Sequence, residues 1–240
     1  LRKRNKNNPN RFIFTKKDEE RLDLIKKEIS SFKRNHPYLE ENVTDIITRR
    51  FKEIGYKVEF KLLNAANYGV PQRRERVIFI GVRDEMPIIF PEPTHFSKSN
   101  GLFSNKLWRT VRESIDDLKN LEEDVDWNHI ITKHSKEFEE KIRNTPIGES
   151  ALGYSDSFYR NPPDEASRTV KENHGGVMIH YEKNRVMTPR ELARLQSFPD
   201  DFIFEGTKSS ILVQIGNAVP TLLGKAIGEV VAKMLDEKYR

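Results

Sequence analysis

Apolar positions along the chain change period several times, and each period predicts an element. In "TKKDEERLDLIKKEISSFKRN" Leu22, Ile25, Ile29 and Phe32 recur at helical spacing, so the segment reads as a helix with a solvated charged face. Thr15 with Asp18 three residues on supplies its start signal. A second helix, roughly 40–54, carries Val43, Ile46, Ile47, Phe51 and Ile54 on one side and stops at Gly55. "YKVEFKLL" alternates as a half-buried strand, and "VIFIGV" is continuous enough for a fully buried one. From 84 to about 184 the periodicity fades. Pro87, Pro91, Pro93, Pro146, Pro162 and Pro163 punctuate this stretch, with short helical pieces such as "TVRESIDDLKNL". Order returns in "TPRELARLQ", where Thr188 caps, Pro189 takes the first helical position and Glu191 completes a capping box. A last helix, about 220–237, places Leu222, Leu223, Ala226, Ile227, Val230, Val231, Met234 and Leu235 on a wide apolar face. The pattern is ordered, irregular, ordered: a smaller irregular domain set into a more regular one.

Composition adds two constraints. The net charge is +5, but residues 1–34 hold twelve Lys/Arg against five Asp/Glu, so this head carries +7 and the remainder −2. Global basicity is therefore a weak argument for nucleic acid, and a local one is needed. Residues 1–14 read as an extended basic arm, and residues 1–36 as an independent nucleic-acid contact if binding falls steeply with salt. The second constraint is the absence of cysteine, which removes disulfides, thiolate metal sites and Cys nucleophiles at once. No apolar run approaches the ~20 residues that cross a bilayer, so a cytoplasmic protein without membrane contact is expected. The chain opens on Leu1 rather than Met, so a longer protein is expected.

Several familiar sites are missing: there is no GxGxxG, Walker loop or GxSxG. His129 and His134 are spaced wrongly for ligands on one helical face, and no metal is expected. Asp116/Asp117 and Asp200/Asp201 read as a helix surface and a turn. Three segments remain: "GVPQRRER" (69–76), "RVMTPRELARLQSFPDDF" (185–202) and "QIGNAVP" (214–220). Taken singly they are a charged turn, a well-capped helix and a Gly-Asn turn before a helix.

In this order and spacing, with "TVRESIDDL" (110–118) and "SRTV" (167–170) between them, they resemble the C-terminal motifs of the DNA (cytosine-5) methyltransferases. The resemblance implies an α/β fold, the C-terminal part of a doubly wound sheet that binds S-adenosyl-L-methionine, with a small inserted target-recognition domain. It assigns 37–83 and 187–240 to the catalytic domain, 84–186 to target recognition, and leaves 1–36 as a basic extension. Such enzymes extrude cytosine from duplex DNA and attack C6 with a thiolate; fixed charges then stabilise the ring. By resemblance Arg74 and Arg76 face the extruded base, one of them holding its carbonyl oxygen. Gln72, Arg73, Arg168, Thr169 and Arg185 lie toward DNA, and Pro71 with Gln72 shapes the loop. Arg190, Glu191 and Gln196 seat the recognition domain. Gly216 permits a tight turn, and Asn217 with the backbone N–H of Ala218 cradles the cofactor's amino-acid end at a helix start.

The sequence also departs from the family. Its glycine-rich cofactor motif and its Pro-Cys dipeptide are absent. An "ENV" occurs at Glu41–Val43, but it lies only twelve residues before Gly55 in a helical stretch, so Glu41 is given no catalytic role. The expectation is a C-terminal fragment or split subunit, inactive alone, that needs a complementary polypeptide and tends to self-associate through strands 57–63 and 76–83 and the last helix. The rival from another class is a DNA-binding or regulatory module without catalysis.

Overall fold

The computed structural model describes residues 4–5, 8–12, 16–35, 42–83, 85–97, 106–153, 158–172 and 177–238. Within it the chain forms two compact units, Leu1–Val58 and Glu59–Arg240.

In the first unit the basic head is not a single extended arm. β1 (Arg4–Asn5) and β2 (Asn8–Phe12) pair antiparallel. α1 (Lys16–Asn35) follows as the apolar spacing predicts, although its cap residue Thr15 lies outside the described residues. Its stripe of Leu22, Ile25, Ile29 and Phe32 is exposed. α2 (Val43–Glu53) buries none of its residues. Val43, the last residue of the "ENV" tripeptide, opens this helix rather than ending a strand, and Glu41 lies outside the described residues.

β3 (Lys57–Asn64), all but its first two residues in the second unit, and β4 (Glu75–Val82) form a two-stranded sheet. β4 was expected to be buried throughout, yet only Ile80 is, and Val77 is 44% exposed. On β3, Phe60 and Leu62 are exposed at 46% and 58%, against the alternation its sequence predicts. The reason is that helical cover reaches these strands only in part. α7 (Thr221–Lys238) lays Leu223 on the Leu63–Val70 turn and Met234 on Ile80 and Met86. Beyond the sheet, β5 (His95–Phe96) and β6 (Lys106–Leu107) make a two-residue parallel pair.

α3 (Val111–Ile115) starts from a capping box between Thr110 and Glu113. α4 (Lys136–Arg143) is capped by Ser135. α5 (Pro189–Leu195) carries the Thr188/Glu191 box expected of it. α6 (Lys208–Asn217), capped by Thr207, was not foreseen: "QIGN" is its last turn, not a loop. The main core gathers Val111, Ile115, Val170, Met178 and Tyr181 with Leu192, Leu195, Ile211 and Ile215. Residues from 84–186 and from 187–240 therefore share one apolar interior, while Ile142, Ile179 and Val186 form a smaller cluster. Among the described residues no single helix is long and apolar enough to cross a membrane.

Candidate functional site: a junction of four motif segments

The site is built from the end of β3. Asn64 Oδ1 accepts from Ala66 N–H (3.1 Å) and opens a short 3-10 turn. Gly69 closes it at φ +83°, where a Cβ would meet the His95 ring at 2.9 Å. Only glycine tolerates both the left-handed backbone and that approach. Pro71 then leads "QRRER" alongside "SRTV". Arg73 N–H donates to Ser167 O (2.8 Å), Ser167 N–H to Pro71 O (3.0 Å), and Thr169 Oγ1 to Arg73 O (2.9 Å).

Two further segments close on this pair through glutamines. The fully buried Gln72 donates Nε2–H to Leu195 O (3.2 Å) and to Gln196 Oε1 (3.0 Å), and its Oε1 accepts from Val170 N–H (2.8 Å). Gln196 donates Nε2–H to Ile215 O (2.7 Å). Every bond in this chain is buried, so each amide satisfies a group that would otherwise be costly to desolvate. Gln72, expected on the DNA side, is a structural crosspiece, since burial leaves its amide no route to a duplex.

Arg74 is the second crosspiece. It is 5% exposed. Nη1 donates to Val170 O (2.9 Å), and Nη2 donates to Gly216 O (2.9 Å) and Ala218 O (3.3 Å). Two of these carbonyls belong to the C-terminal end of α6, where the helix dipole is negative and carbonyls lack partners. That explains how a cation sits inside on carbonyl partners. Burial, with a smaller push from Arg76, pulls the guanidinium down to about 10, still protonated at neutral pH. Arg76 differs: its side chain is exposed and turns back on Glu75 O (2.7 Å). The two arginines expected to act as a pair thus occupy different environments.

Arg190, fully buried, donates to Trp127 O (3.0 Å), Pro199 O (3.3 Å) and Phe202 O (3.0 Å), with its guanidinium 4.9 Å from the Trp127 ring centre. It ties α5 to the 127–128 turn and to the 199–202 loop. Glu191 closes the helix cap through Thr188 N–H (2.8 Å) and receives both Nη groups of Arg185 (2.7 and 2.8 Å). Arg185, expected to face DNA, is therefore spent on a bidentate internal pair.

The cofactor residues also need correction. Gly216 makes no tight turn: it lies in α6, and a Cβ there would meet Glu172 N at 2.3 Å and Lys171 C at 2.5 Å. Its lack of a side chain lets the helix touch residues 171–172. Ala218 N–H donates back to Gln214 O and Ile215 O (3.1 and 3.3 Å). At the start of α7, Thr221 N–H donates to Gln196 O (3.2 Å) and Leu222 N–H to Ser197 Oγ (3.1 Å). The proposed anion cradle is thus filled by the chain itself, leaving only the exposed Asn217 side chain. Ser197, at φ +60°, does this capping, and no sequence signal marked it.

Arg73, Arg168 and Thr169 do come together. With Tyr159, Lys171 and Met178 they line a cleft of about 490 Å³. The Arg168 guanidinium lies 3.5 Å from the Tyr159 ring centre, a cation–π contact that sets the plane of the fork. Arg73 Nη2 reaches Glu165 at 3.7 Å. Tyr159 and Lys171 were missed because nothing local in "FYRN" or "VKEN" announces that they meet.

His180 is fully buried beside the Glu191 cap. Its Nδ1 accepts from Glu182 N–H (3.0 Å) and Lys183 N–H (3.1 Å), and its Nε2 is buried 3.7 Å from Glu191 Oε1. Burial, only partly offset by Glu191, lowers the imidazole to about 4. For a base depressed from 6.5, stability is complete above the unfolded value and is lost as pH falls from 6.5 toward 4. The loss amounts to roughly 3 kcal/mol. Urea melts of His180→Gln, which keeps an acceptor but cannot titrate, are expected to show a much shallower acid limb. A limb as steep as the parent's would remove His180 from the explanation. His129 and His134 are lowered by burial too, so some slope persists.

The family model described as C-5 cytosine-specific DNA methylase matches residues 32–233. The chain is 38% identical over 243 aligned residues to the type II methyltransferase M1.HphI of Haemophilus parahaemolyticus, covering 90% of this chain and 62% of that protein. It is 37% identical to M.BbvI of Brevibacillus brevis, covering 75% of this chain and 50% of the relative. Among solved structures, a protein encoded within an E. coli prophage and described as a DNA modification methyltransferase superposes with a TM-score of 0.63 at 24% identity. That match covers 82% of this chain and 66% of the other, and it establishes the methyltransferase fold. The chain thus spans between half and 62% of the length of these two curated relatives.

Proposed function

Because the chain belongs to the C-5 cytosine-specific DNA methylase family, we propose that it is the base-facing and target-recognising part of a DNA (cytosine-5) methyltransferase. Its substrate is double-stranded DNA and its methyl donor S-adenosyl-L-methionine. The observation that carries this reading is the junction itself. "QRRER", "SRTV", "RLQ" and "QIG" are far apart in the chain, yet Gln72, Arg74 and Gln196 bond them into one buried platform.

The division of labour follows from exposure. Arg74 and Gln72 position the platform. Arg76, at its open side, offers a guanidinium to the carbonyl oxygen of an extruded cytosine, where negative charge grows as C6 is attacked. Arg73, Arg168 and Lys171 track the phosphate backbone from their cleft, a role in which fixed positive charge and a planar fork both count. Residues 37–83 and 187–240 serve the catalytic domain, 84–186 read the target, and 1–36 add a basic extension. The methyl donor supplies an electrophilic carbon when bound. Of the three residues expected to hold it, only Asn217 has a side chain open to it, so its other contacts come from beyond these residues. The thiolate does too, since none of the 240 residues is cysteine. A complementary polypeptide that brings these groups also covers Phe60, Leu62 and Val77.

A non-catalytic DNA-binding module is the second reading, favoured by the internal use of Arg74 and Arg185. One experiment separates the two. The chain alone, given duplex DNA and methyl-labelled S-adenosylmethionine, is expected to transfer nothing. Joined to a polypeptide carrying the family's Pro-Cys segment, it methylates cytosine, and Arg76→Ala lowers that rate by roughly 10²-fold at an unchanged urea midpoint. Transfer by the chain alone, or an undiminished rate for Arg76→Ala, ends the first reading. DNA binding without methylation in the joined assembly establishes the second.

A further inference from the structure

Away from the junction, a cavity of about 350 Å³ lies on the seam between the main core and the smaller cluster of Ile142, Ile179 and Val186. Met187 and Leu212 bring one wall from the main core, and Phe138, Phe158 and Val186 bring the other from the smaller cluster. The Phe138 and Phe158 rings meet edge to face at 4.8 Å, and the His134 ring meets Phe138 at 5.2 Å. Val177 is also apolar, and the rest of the lining is polar: Thr132, His134, Lys208 and Ser209. Lys208, whose Nζ donates to Ile130 O (3.1 Å) and to Thr132 Oγ1, is the one formally charged side chain of the lining. An ammonium has three donors, so one remains. His134 Nε2 is buried without a hydrogen-bond partner among the described residues.

Both features suit one kind of molecule. Apolar and aromatic walls gain contacts from a flat apolar body, and the spare ammonium donor and the buried ring nitrogen suit a single anionic group at its edge. We propose that this cavity is a binding site for a small aromatic monocarboxylate, its ring held among Phe138, Phe158 and Leu212 and its carboxylate on Lys208 and the His134 N–H. The size suits one or two fused rings, since a cavity of about 150 Å³ already holds benzene. A cation is excluded by Lys208, and a long flexible acid gains less from rigid aromatic walls. The site is independent of the methylation reading. A ligand there bridges the motif helices and the 138–186 cluster.

The test uses the 240-residue chain with indole-3-carboxylate and neutral indole as probes, followed by calorimetry and by thermal melts. Both are expected to saturate and to raise the melting temperature, the acid binding about tenfold more tightly. Lys208→Met is expected to erase that difference while indole still binds. Leu212→Trp, which fills the cavity, is expected to abolish both. Should that variant fail to fold by circular dichroism, Val177→Trp fills the cavity from another lining position. The His134 imidazole resonances are expected to shift on titration with the acid, and resonances that stay in place would overturn its part in the site. Absence of saturation by either probe up to about 10 mM, equal affinity for acid and indole, or binding that survives filling would each overturn the proposal.

Discussion

Gly216→Ala is expected to destabilise the second unit by about 2 to 3 kcal/mol, although alanine is the better helix former. Gly216 lies inside α6 with no unusual φ, so propensity alone gives the opposite sign, a gain of about 1 kcal/mol. Tertiary contact reverses it. The added Cβ would sit 2.3 Å from Glu172 N and 2.7 Å from Glu172 Cα, and these are backbone atoms that no rotamer change can move aside. Either α6 or the 171–172 segment must retreat. The retreat stretches the bond from Arg74 to Gly216 O (2.9 Å) and shifts Lys171 on the wall of the cationic cleft. Urea unfolding at constant slope measures the loss. A rise in midpoint would show that the close approach is not maintained in solution.

Arg74→Ala is expected to cost about 3 kcal/mol or more, because it strips a charged donor from three carbonyl groups, which then lose their pairing. Arg74→Lys recovers only part of this, since a point charge on one nitrogen cannot span acceptors that a planar fork bridges. Arg76→Ala, by contrast, is expected to stay within about 0.5 kcal/mol of the parent, as exposed substitutions do. The contrast carries the argument: the two arginines differ by two in number but not in type, and only their burial separates a positioning role from a base-facing one. Comparable melts for both alanine variants would remove that distinction.

Local elements were readable where the backbone solves its own hydrogen bonding nearby. The Thr188–Glu191 box was legible because both partners lie within one turn. The helices of the first unit and the two central strands also appear close to where the apolar spacing puts them. α6 was not legible, because "SSILVQIGN" mixes β-branched residues with a Gly-Asn end and owes its helicity to packing of Ile211, Leu212 and Ile215 in the core. Strand burial departs from the apolar pattern for the complementary reason. A continuous apolar run states what could be covered, not what covers it.

The sequence by itself determined the family, through motifs whose order survives any folding, and it determined that no thiolate can come from these residues. The tertiary structure decided which side chains are tools and which are ties. Arg74 finds its acceptors 96, 142 and 144 residues away, Gln72 meets Gln196 across 124, and Ala218 turns its N–H back into its own helix. A motif fixes residue types, but the availability of a donor depends on whether another segment has already taken it. That is settled only when distant carbonyls are brought within hydrogen-bond reach.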